Sequence, residues 1–144
     1  MRYLGNKESM LTEISDLLES QGLLKEGFSF FDAFCGSGSV SDYFKSYYDI
    51  IINDNLTWSV LYTKGRICAP VCTFTKLGFD PFEYLNSNET VLQGFMYKNY
   101  APTESARMYF TPENAGRIDY FRKRIEDWKN DNLLSEEEYC YLMA

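Results

Sequence analysis

The chain has 144 residues, a formal net charge of −7, four cysteines and no histidine. Its composition, 45% hydrophobic and 17% aromatic, suffices for one packed domain or for a domain and part of a second. The lack of histidine excludes Ser-His and Cys-His catalysis and histidine-ligated metals. The cysteines show no CxxC spacing, and no apolar run has the length of a membrane span. We therefore expect a cytoplasmic protein with free thiols, no bound metal and no membrane contact.

The first half of the chain has the alternating pattern of an α/β fold. Apolar residues recur at helical spacing, and short aromatic or β-branched runs between them predict largely buried strands, the second of them parallel to the first. The predicted elements are a helix at 10–18 ended by Gly22, a strand at 28–34, a helix at 40–47, a strand at 48–53 and a helix from 56 to about 65. This order is typical of half of a doubly wound sheet.

The second half is predicted to be rich in loops at first and then mainly helical. Asp80 is a candidate N-cap for a short helix that begins at Pro81. Thr111 is a candidate N-cap for a longer helix with one apolar face. Ser135 and Glu138 form a capping-box pattern at the start of a last helix, which is still under way at the last residue.

The segment 31–40 carries the main indication of function. An aromatic run stops at Asp32, Gly36 and Gly38 follow, and a helical pattern then begins. This layout is typical of a strand–loop–helix whose backbone approaches a small polar ligand, because a Cβ would collide with the ligand or forbid the turn. The third glycine of the dinucleotide fingerprint is missing, which counts against a nucleotide-binding oxidoreductase. The loop alone indicates a nucleotide-like cofactor without identifying it.

Two charged residues flank this loop in the sequence. Asp54 follows the second strand, where an acid can accept hydrogen bonds from ribose hydroxyls. The alternative is a solvated aspartate in an Asx turn. Lys7 precedes the first helix and offers an ammonium group to a carboxylate, unless this segment is only a disordered tail. A cofactor with a carboxylate at one end and a ribose at the other would use both residues, and S-adenosylmethionine fits that description.

Three ordered motifs in residues 1–65 resemble those of the Dam-type (alpha-group) adenine-N6-specific DNA methyltransferases. They are Tyr-hydrophobic-Gly-Asn-Lys at 3–7, Phe-x-x-Phe-x-Gly-x-Gly-Ser-Val at 31–40, and Asn-Asp-Asn at 53–55. The resemblance implies a partial Rossmann-like S-adenosylmethionine-dependent methyltransferase sheet in residues 1–75. Residues 76–144 would begin a DNA-recognition or connecting region. The cofactor-binding residues implied are Tyr3, Lys7, Asp32, Phe34, Gly36, Gly38 and Asp54.

The catalytic tetrapeptide of this family, Asp/Asn-Pro-Pro-Tyr, is absent from the 144 residues. It holds the adenine amino group and stacks on the flipped base. We expect the chain to be the cofactor-binding part of a site-specific enzyme of a restriction-modification system, truncated and inactive alone. The alternative is a non-catalytic cofactor-binding or specificity module that completes its site with a partner chain.

Double-stranded DNA would be the partner of the intact enzyme, although the acidic net charge requires any DNA contact to be local. Lys98, Tyr100, Arg107 and Tyr109 are the candidates, since cations and aromatic rings on one loop can meet phosphates and bases. The same aromatic residues could instead pack the loop onto its domain. The basic residues of segment 117–129 alternate with acids, which favours a solvated helix face with i,i+4 ion pairs.

Overall fold

The computed structural model describes residues 7–144, and the chain divides into two compact units. Within the described residues, the first unit extends to Cys72 and includes Cys140–Ala144, and the second is Thr73–Tyr139. No helix in this part of the chain is long and apolar enough to cross a membrane.

The described residues form two strands and seven α-helices. The first five elements are α1 (Leu11–Ser20), β1 (Ser29–Asp32), α2 (Ser39–Phe44), β2 (Asp49–Ile52) and α3 (Thr57–Cys68), with short 3₁₀ helices at Glu8–Met10 and Ala69–Val71. The remaining helices are α4 (Pro81–Ser87), α5 (Phe95–Tyr100), α6 (Pro112–Asn130) and α7 (Glu136–Met143). The predicted helix–strand order of the first half is confirmed, with each strand shorter than expected.

The two strands are parallel and form the sheet of the first unit. Their register pairs Ser29 with Asp49 and Asp32 with Ile52. The backbone pairing continues past β2, where the Asn53 N–H donates to the Asp32 carbonyl at 2.9 Å. Because parallel strands end at the same sheet edge, the segments that follow β1 and β2 lie side by side.

Three aromatic residues of the first unit pack one face of this sheet against α2. Phe44 is fully buried, and its ring stacks on that of Phe30 with the ring centroids 5.2 Å apart. Tyr48 stacks on the same Phe30 ring at 5.7 Å, and its hydroxyl donates to the Leu23 carbonyl at 2.9 Å. These ring contacts therefore anchor α2, and with it the loop that precedes α2, to β1.

The prediction that both strands are largely buried is wrong. Phe31 is 61% exposed and Ile51 is 53% exposed, and these residues are direct neighbours in the sheet register. Alternate side chains of a strand point to opposite faces, so Phe31 and Ile51 share one face of the sheet, while Phe30 lies on the face that packs against α2. The small parallel sheet and its helices agree with an α/β class, while further strands of a Rossmann-like sheet stay a prediction.

The second unit confirms the predicted helix starts. The Asp80 carboxylate accepts from the Phe82 and Glu83 N–H groups at 2.7 and 3.1 Å, so it caps α4. The Thr111 hydroxyl accepts from the Asn114 N–H at 3.2 Å and caps α6. These side chains satisfy N–H groups that have no partner inside the helix.

The capping box before α7 is also present. The Ser135 N–H donates to the Glu138 carboxylate at 2.9 Å, and the Glu138 N–H donates to the Ser135 hydroxyl at 3.1 Å. The reciprocal pair fixes the start of the helix where the sequence pattern predicted it.

Helix α5 was not predicted, because its N-terminal cap comes from a distant residue. Asp119 of α6 is 7% exposed, and its carboxylate accepts from the N–H groups of Met96 and Tyr97 at 2.9 and 2.8 Å. A Cβ on Gly94 would lie 2.6 Å from the Asp119 carboxyl carbon. The close approach of α5 to α6 therefore depends on glycine at position 94.

Candidate functional site

The glycine loop between β1 and α2 has a backbone that requires glycine at two positions. Gly36 and Gly38 have φ values of 50° and 71°, in the left-handed region. Gly38 precedes the first residue of α2, and a Cβ there would lie 2.7 Å from the Thr63 side chain of α3. The loop is therefore a tight, preformed turn that is closely packed on α3.

Asp54 lies directly against this loop. One carboxylate oxygen accepts from the Gly36 N–H at 2.9 Å, and the other accepts from the Leu56 N–H at 2.9 Å. The hydrogen bond from Leu56, followed by that from Gly36, holds the pKa of the Asp54 carboxyl below its ordinary value. The Asx turn is thus present, and it orients an ionised carboxylate that keeps further acceptor capacity on both oxygens.

Asp32 and Cys35 support the loop from its β1 side. The Asp32 carboxylate accepts from the Ser41 hydroxyl at 2.6 Å, which ties the end of β1 to α2. Cys35 is buried, and its N–H donates to the Asn53 carbonyl at 2.9 Å. Burial raises the pKa of the Cys35 thiol, so this group is a neutral packing residue at neutral pH.

The other predicted cofactor residues differ in their surroundings. Phe34 is 83% exposed beside the loop, so its ring is available to a ligand. Lys7 is exposed just before the 3₁₀ helix at Glu8–Met10, where its carbonyl accepts from the Met10 N–H at 2.9 Å. Tyr3 lies outside the described residues.

Arg66 of α3 braces the loop and was not singled out from the sequence. Its guanidinium donates to the Ser37 carbonyl at 2.9 Å and to the Asp42 carboxylate at 2.7 Å. Burial works against the charge of Asp42, but the hydrogen bond from Lys45 and the charge of Arg66 lower its pKa overall. The spacing of 24 residues between Asp42 and Arg66 leaves no local sequence signal for this pair.

The predicted DNA-contact residues fall largely into one group, which we call the aromatic cluster (Tyr100, Arg107 and Tyr109). The Arg107 guanidinium lies 5.3 Å from the centre of the Tyr100 ring, and the Tyr100 and Tyr109 rings are 5.8 Å apart. Tyr109 is 72% exposed. Lys98 is exposed on α5. The arrangement leaves aromatic surface and positive charge open to solvent.

The basic face predicted on α6 is solvated only in part. Lys123 pairs with Asp127 at 2.9 Å, as the i,i+4 spacing predicts. Arg124 is different, because its guanidinium donates to the Tyr84 hydroxyl at 3.1 Å and lies over the Trp128 ring. The aliphatic part and the guanidinium group of Arg124 therefore pack on aromatic rings within the second unit.

The described residues contain no group of three or more acidic or cysteine side chains placed to hold a metal ion. A ligand at the glycine loop would meet the Asp54 carboxylate and the exposed Phe34 ring. A carboxylate of this kind suits a hydroxyl-bearing ligand, and an exposed ring suits a planar one.

The family model described as D12 class N6 adenine-specific DNA methyltransferase matches residues 3–143. The modification methylase LlaI of Lactococcus lactis subsp. lactis is 38% identical over 151 residues, which cover all of this chain and 24% of that protein. The type II methyltransferase M.FokI of Planomicrobium okeanokoites is 35% identical over all of this chain and 23% of its own length. The type II methyltransferase M.NlaIII of Neisseria lactamica is 31% identical, with 43% of its length covered.

The chain thus spans less than half of the length of these relatives. No solved structure matches it.

Proposed function

The chain belongs to the D12 class of N6 adenine-specific DNA methyltransferases, and we propose that it forms the S-adenosylmethionine-binding part of such an enzyme. The enzyme would methylate adenine at a specific DNA site as the modification half of a restriction-modification system. The observation that carries the proposal is the contact between the Asp54 carboxylate and the Gly36 N–H at the carboxyl ends of two parallel strands. In open α/β sheets, this edge is where ligands bind.

The residues around the loop fit S-adenosylmethionine. An ionised carboxylate held by two backbone amides can still accept hydrogen bonds from a ribose diol, which is the task proposed for Asp54. Gly36 and Gly38 form the positive-φ turn that would lie beside the donor, and Phe34 offers an exposed ring to its adenine. Asp32 keeps the loop on α2 through Ser41.

At the other end of the donor, Lys7 would neutralise the methionine carboxylate, and Tyr3 would border the methionine chain. When bound, the donor supplies an activated methyl group on a sulfonium centre. This chain contributes binding and orientation, which lower the barrier by fixing the reacting groups relative to each other.

The aromatic cluster and Lys98 would contact double-stranded DNA in the intact enzyme. The Arg107 guanidinium lies over the Tyr100 ring, and it would bind a phosphate from there. Tyr109 presents an exposed ring beside it. Such contacts add affinity that falls with salt concentration.

A non-catalytic cofactor-binding or specificity module that completes its site with a partner chain is the second candidate. Donor binding needs only the residues described above, so a cofactor-binding module would use the same site, whereas a specificity module need not bind the donor. The enzyme part and a cofactor-binding module would both bind S-adenosylmethionine. They differ in whether the tetrapeptide is encoded in the same polypeptide.

Isothermal titration calorimetry of the chain tests the proposal. We expect saturable one-to-one binding of S-adenosylmethionine and no binding of NAD. Asp54→Asn should weaken binding by about tenfold or more, since a hydrogen bond to a charged group contributes ~1.5–3 kcal/mol. The matched control is Asp49→Asn, an exposed aspartate at the start of β2, which should leave affinity unchanged. Heat from NAD but none from S-adenosylmethionine would refute the proposal.

A further inference from the structure

A pocket of about 330 Å³ lies in the second unit, and neither the glycine loop nor the aromatic cluster includes its residues. We call it the α6 pocket. Four of its residues are spaced i, i+3, i+4 and i+7 along α6, so they share one face of that helix. The lining residues are Asn86, Phe110, Asn114, Arg117, Ile118 and Phe121.

Arg117 has a fixed position in this pocket. Its guanidinium lies 5.3 Å from the centre of the Phe121 ring, and one terminal nitrogen donates to the Asn86 carbonyl at 3.5 Å. Its Nε is buried without a hydrogen-bond partner. A planar cation fixed on an aromatic ring is suited to bind a phosphate group, because little side-chain freedom is lost on binding.

The other polar groups of the pocket are two amides. Asn86 and Asn114 are both exposed; the Asn86 backbone carbonyl accepts from Arg117, and the Asn114 backbone N–H donates to the Thr111 hydroxyl. An asparagine amide offers a donor and an acceptor side by side, which matches the edge of a nucleobase. The rings of Phe110 and Phe121 supply apolar surface on which a base can stack.

We propose that the α6 pocket binds one nucleotide of a DNA strand. The base would contact Phe110 and Phe121, its edge would be hydrogen-bonded by Asn86 and Asn114, and its phosphate would be bound by Arg117. An unstacked base is required, since a base inside a duplex cannot reach a pocket. The inference rests on the proposed function in taking DNA as the partner.

The neighbouring surface favours a strand over a free nucleotide. The N–H of Phe110 donates to the Tyr100 carbonyl at 3.1 Å, so the pocket lies next to the aromatic cluster. Adjacent nucleotides of the same strand would meet the exposed Tyr109 ring and the Arg107 charge. A free nucleotide would make none of these additional contacts.

The test is a fluorescence titration of a short single-stranded oligonucleotide that carries one 2-aminopurine. We expect saturable binding. We expect Asn114→Ala to weaken this binding by about tenfold, because it removes the hydrogen bonds between the asparagine amide and the edge of the base. Asn130→Ala removes an exposed asparagine from the same helix and should change affinity by less than about twofold. Arg117→Gln should also reduce the salt dependence of oligonucleotide affinity. This reduction should be larger than that in the control variant Arg122→Gln, which removes an exposed arginine from the same helix.

Calorimetry with S-adenosylmethionine on the same variants separates this inference from the proposed function. Unchanged donor affinity and an unchanged urea-unfolding transition in Asn114→Ala, together with weakened oligonucleotide binding, support the pocket, because the donor site lies in the first unit and Asn114 in the second. Equal oligonucleotide affinity for Asn114→Ala and Asn130→Ala would overturn the inference that the α6 pocket binds a nucleotide. It is also overturned if deoxyadenosine monophosphate binds and the oligonucleotide does not, or if the wild-type chain binds no oligonucleotide while it still binds the donor.

Discussion

The Asp54 carboxylate accepts a hydrogen bond from the Gly36 N–H at 2.9 Å, which joins the residue after one strand to the loop after its neighbour. The same carboxylate closes an Asx turn with the Leu56 N–H. One side chain therefore fixes the shape of the loop and presents negative charge at the sheet edge. The interpretations of Asp54 as a turn residue and as a ligand-binding residue are compatible.

The hydrogen bonds to Asp54 predict a pH dependence of the loop. Their effect is to lower the folded-state pKa, so the stabilisation is complete above the unfolded value of ~3.9 and is lost as pH falls through the folded pKa. In an NMR acid titration, the Gly36 amide shift should have a midpoint below ~3.9. Asp54→Asn should remove that transition. A wild-type midpoint above pH ~4.5 would contradict the assignment.

Gly38→Ala should destabilise the first unit more than Gly27→Ala does. Both residues have positive φ, of 71° and 85°, so each alanine incurs a backbone cost of ~1–2 kcal/mol. Only at Gly38 would the new Cβ also clash with Thr63, which adds ~1–3 kcal/mol. Urea unfolding measures both variants, and equal free energies of unfolding would show that the close approach to Thr63 has no energetic consequence.

Asp119→Asn should loosen α5. The variant keeps one oxygen acceptor but places an amide N–H₂ against the N–H of Met96 or Tyr97, so we expect a loss of ~1–3 kcal/mol in unfolding free energy. Asp127→Asn breaks the exposed pair with Lys123 and should cost less than ~1 kcal/mol. If urea unfolding ranks the two variants in the opposite order, the Asp119 cap does not stabilise the second unit.

The 144-residue chain alone should not methylate DNA. It lacks the Asp/Asn-Pro-Pro-Tyr tetrapeptide that would hold the target adenine. After incubation with S-adenosylmethionine and duplex DNA, mass spectrometry of the nucleosides should show no N6-methyladenine. A positive control enzyme on the same DNA establishes sensitivity, and any N6-methyladenine formed by this chain would show that another group positions the base.

The features that the sequence predicted well are those with local signals. Asp80, Thr111 and the Ser135–Glu138 pair each satisfy N–H groups within three residues, so the relevant contact is visible in a short window of sequence. The glycine loop was predictable for the same reason, because its turn is specified by the residues that form it.

The features that were missed depend on residues far apart in the chain. Helix α5 is capped by Asp119, 23 residues beyond Met96, and the glycine loop is braced by Arg66, 29 residues beyond Ser37. The exposure of Phe31 was also unpredictable, because an aromatic strand residue looks the same whether or not a neighbour covers it. Tertiary context decides such positions.

The most direct test of the central claim is an amide NMR map of the labelled chain titrated with S-adenosylmethionine. The account predicts the largest shift changes at Gly36, Gly38 and Leu56, whose N–H groups lie in or beside the loop that Asp54 orients. In Asp54→Asn, these changes should require a higher donor concentration. Shift changes confined to residues 73–139, or none at saturating donor, would contradict the assignment of the glycine loop as the donor site.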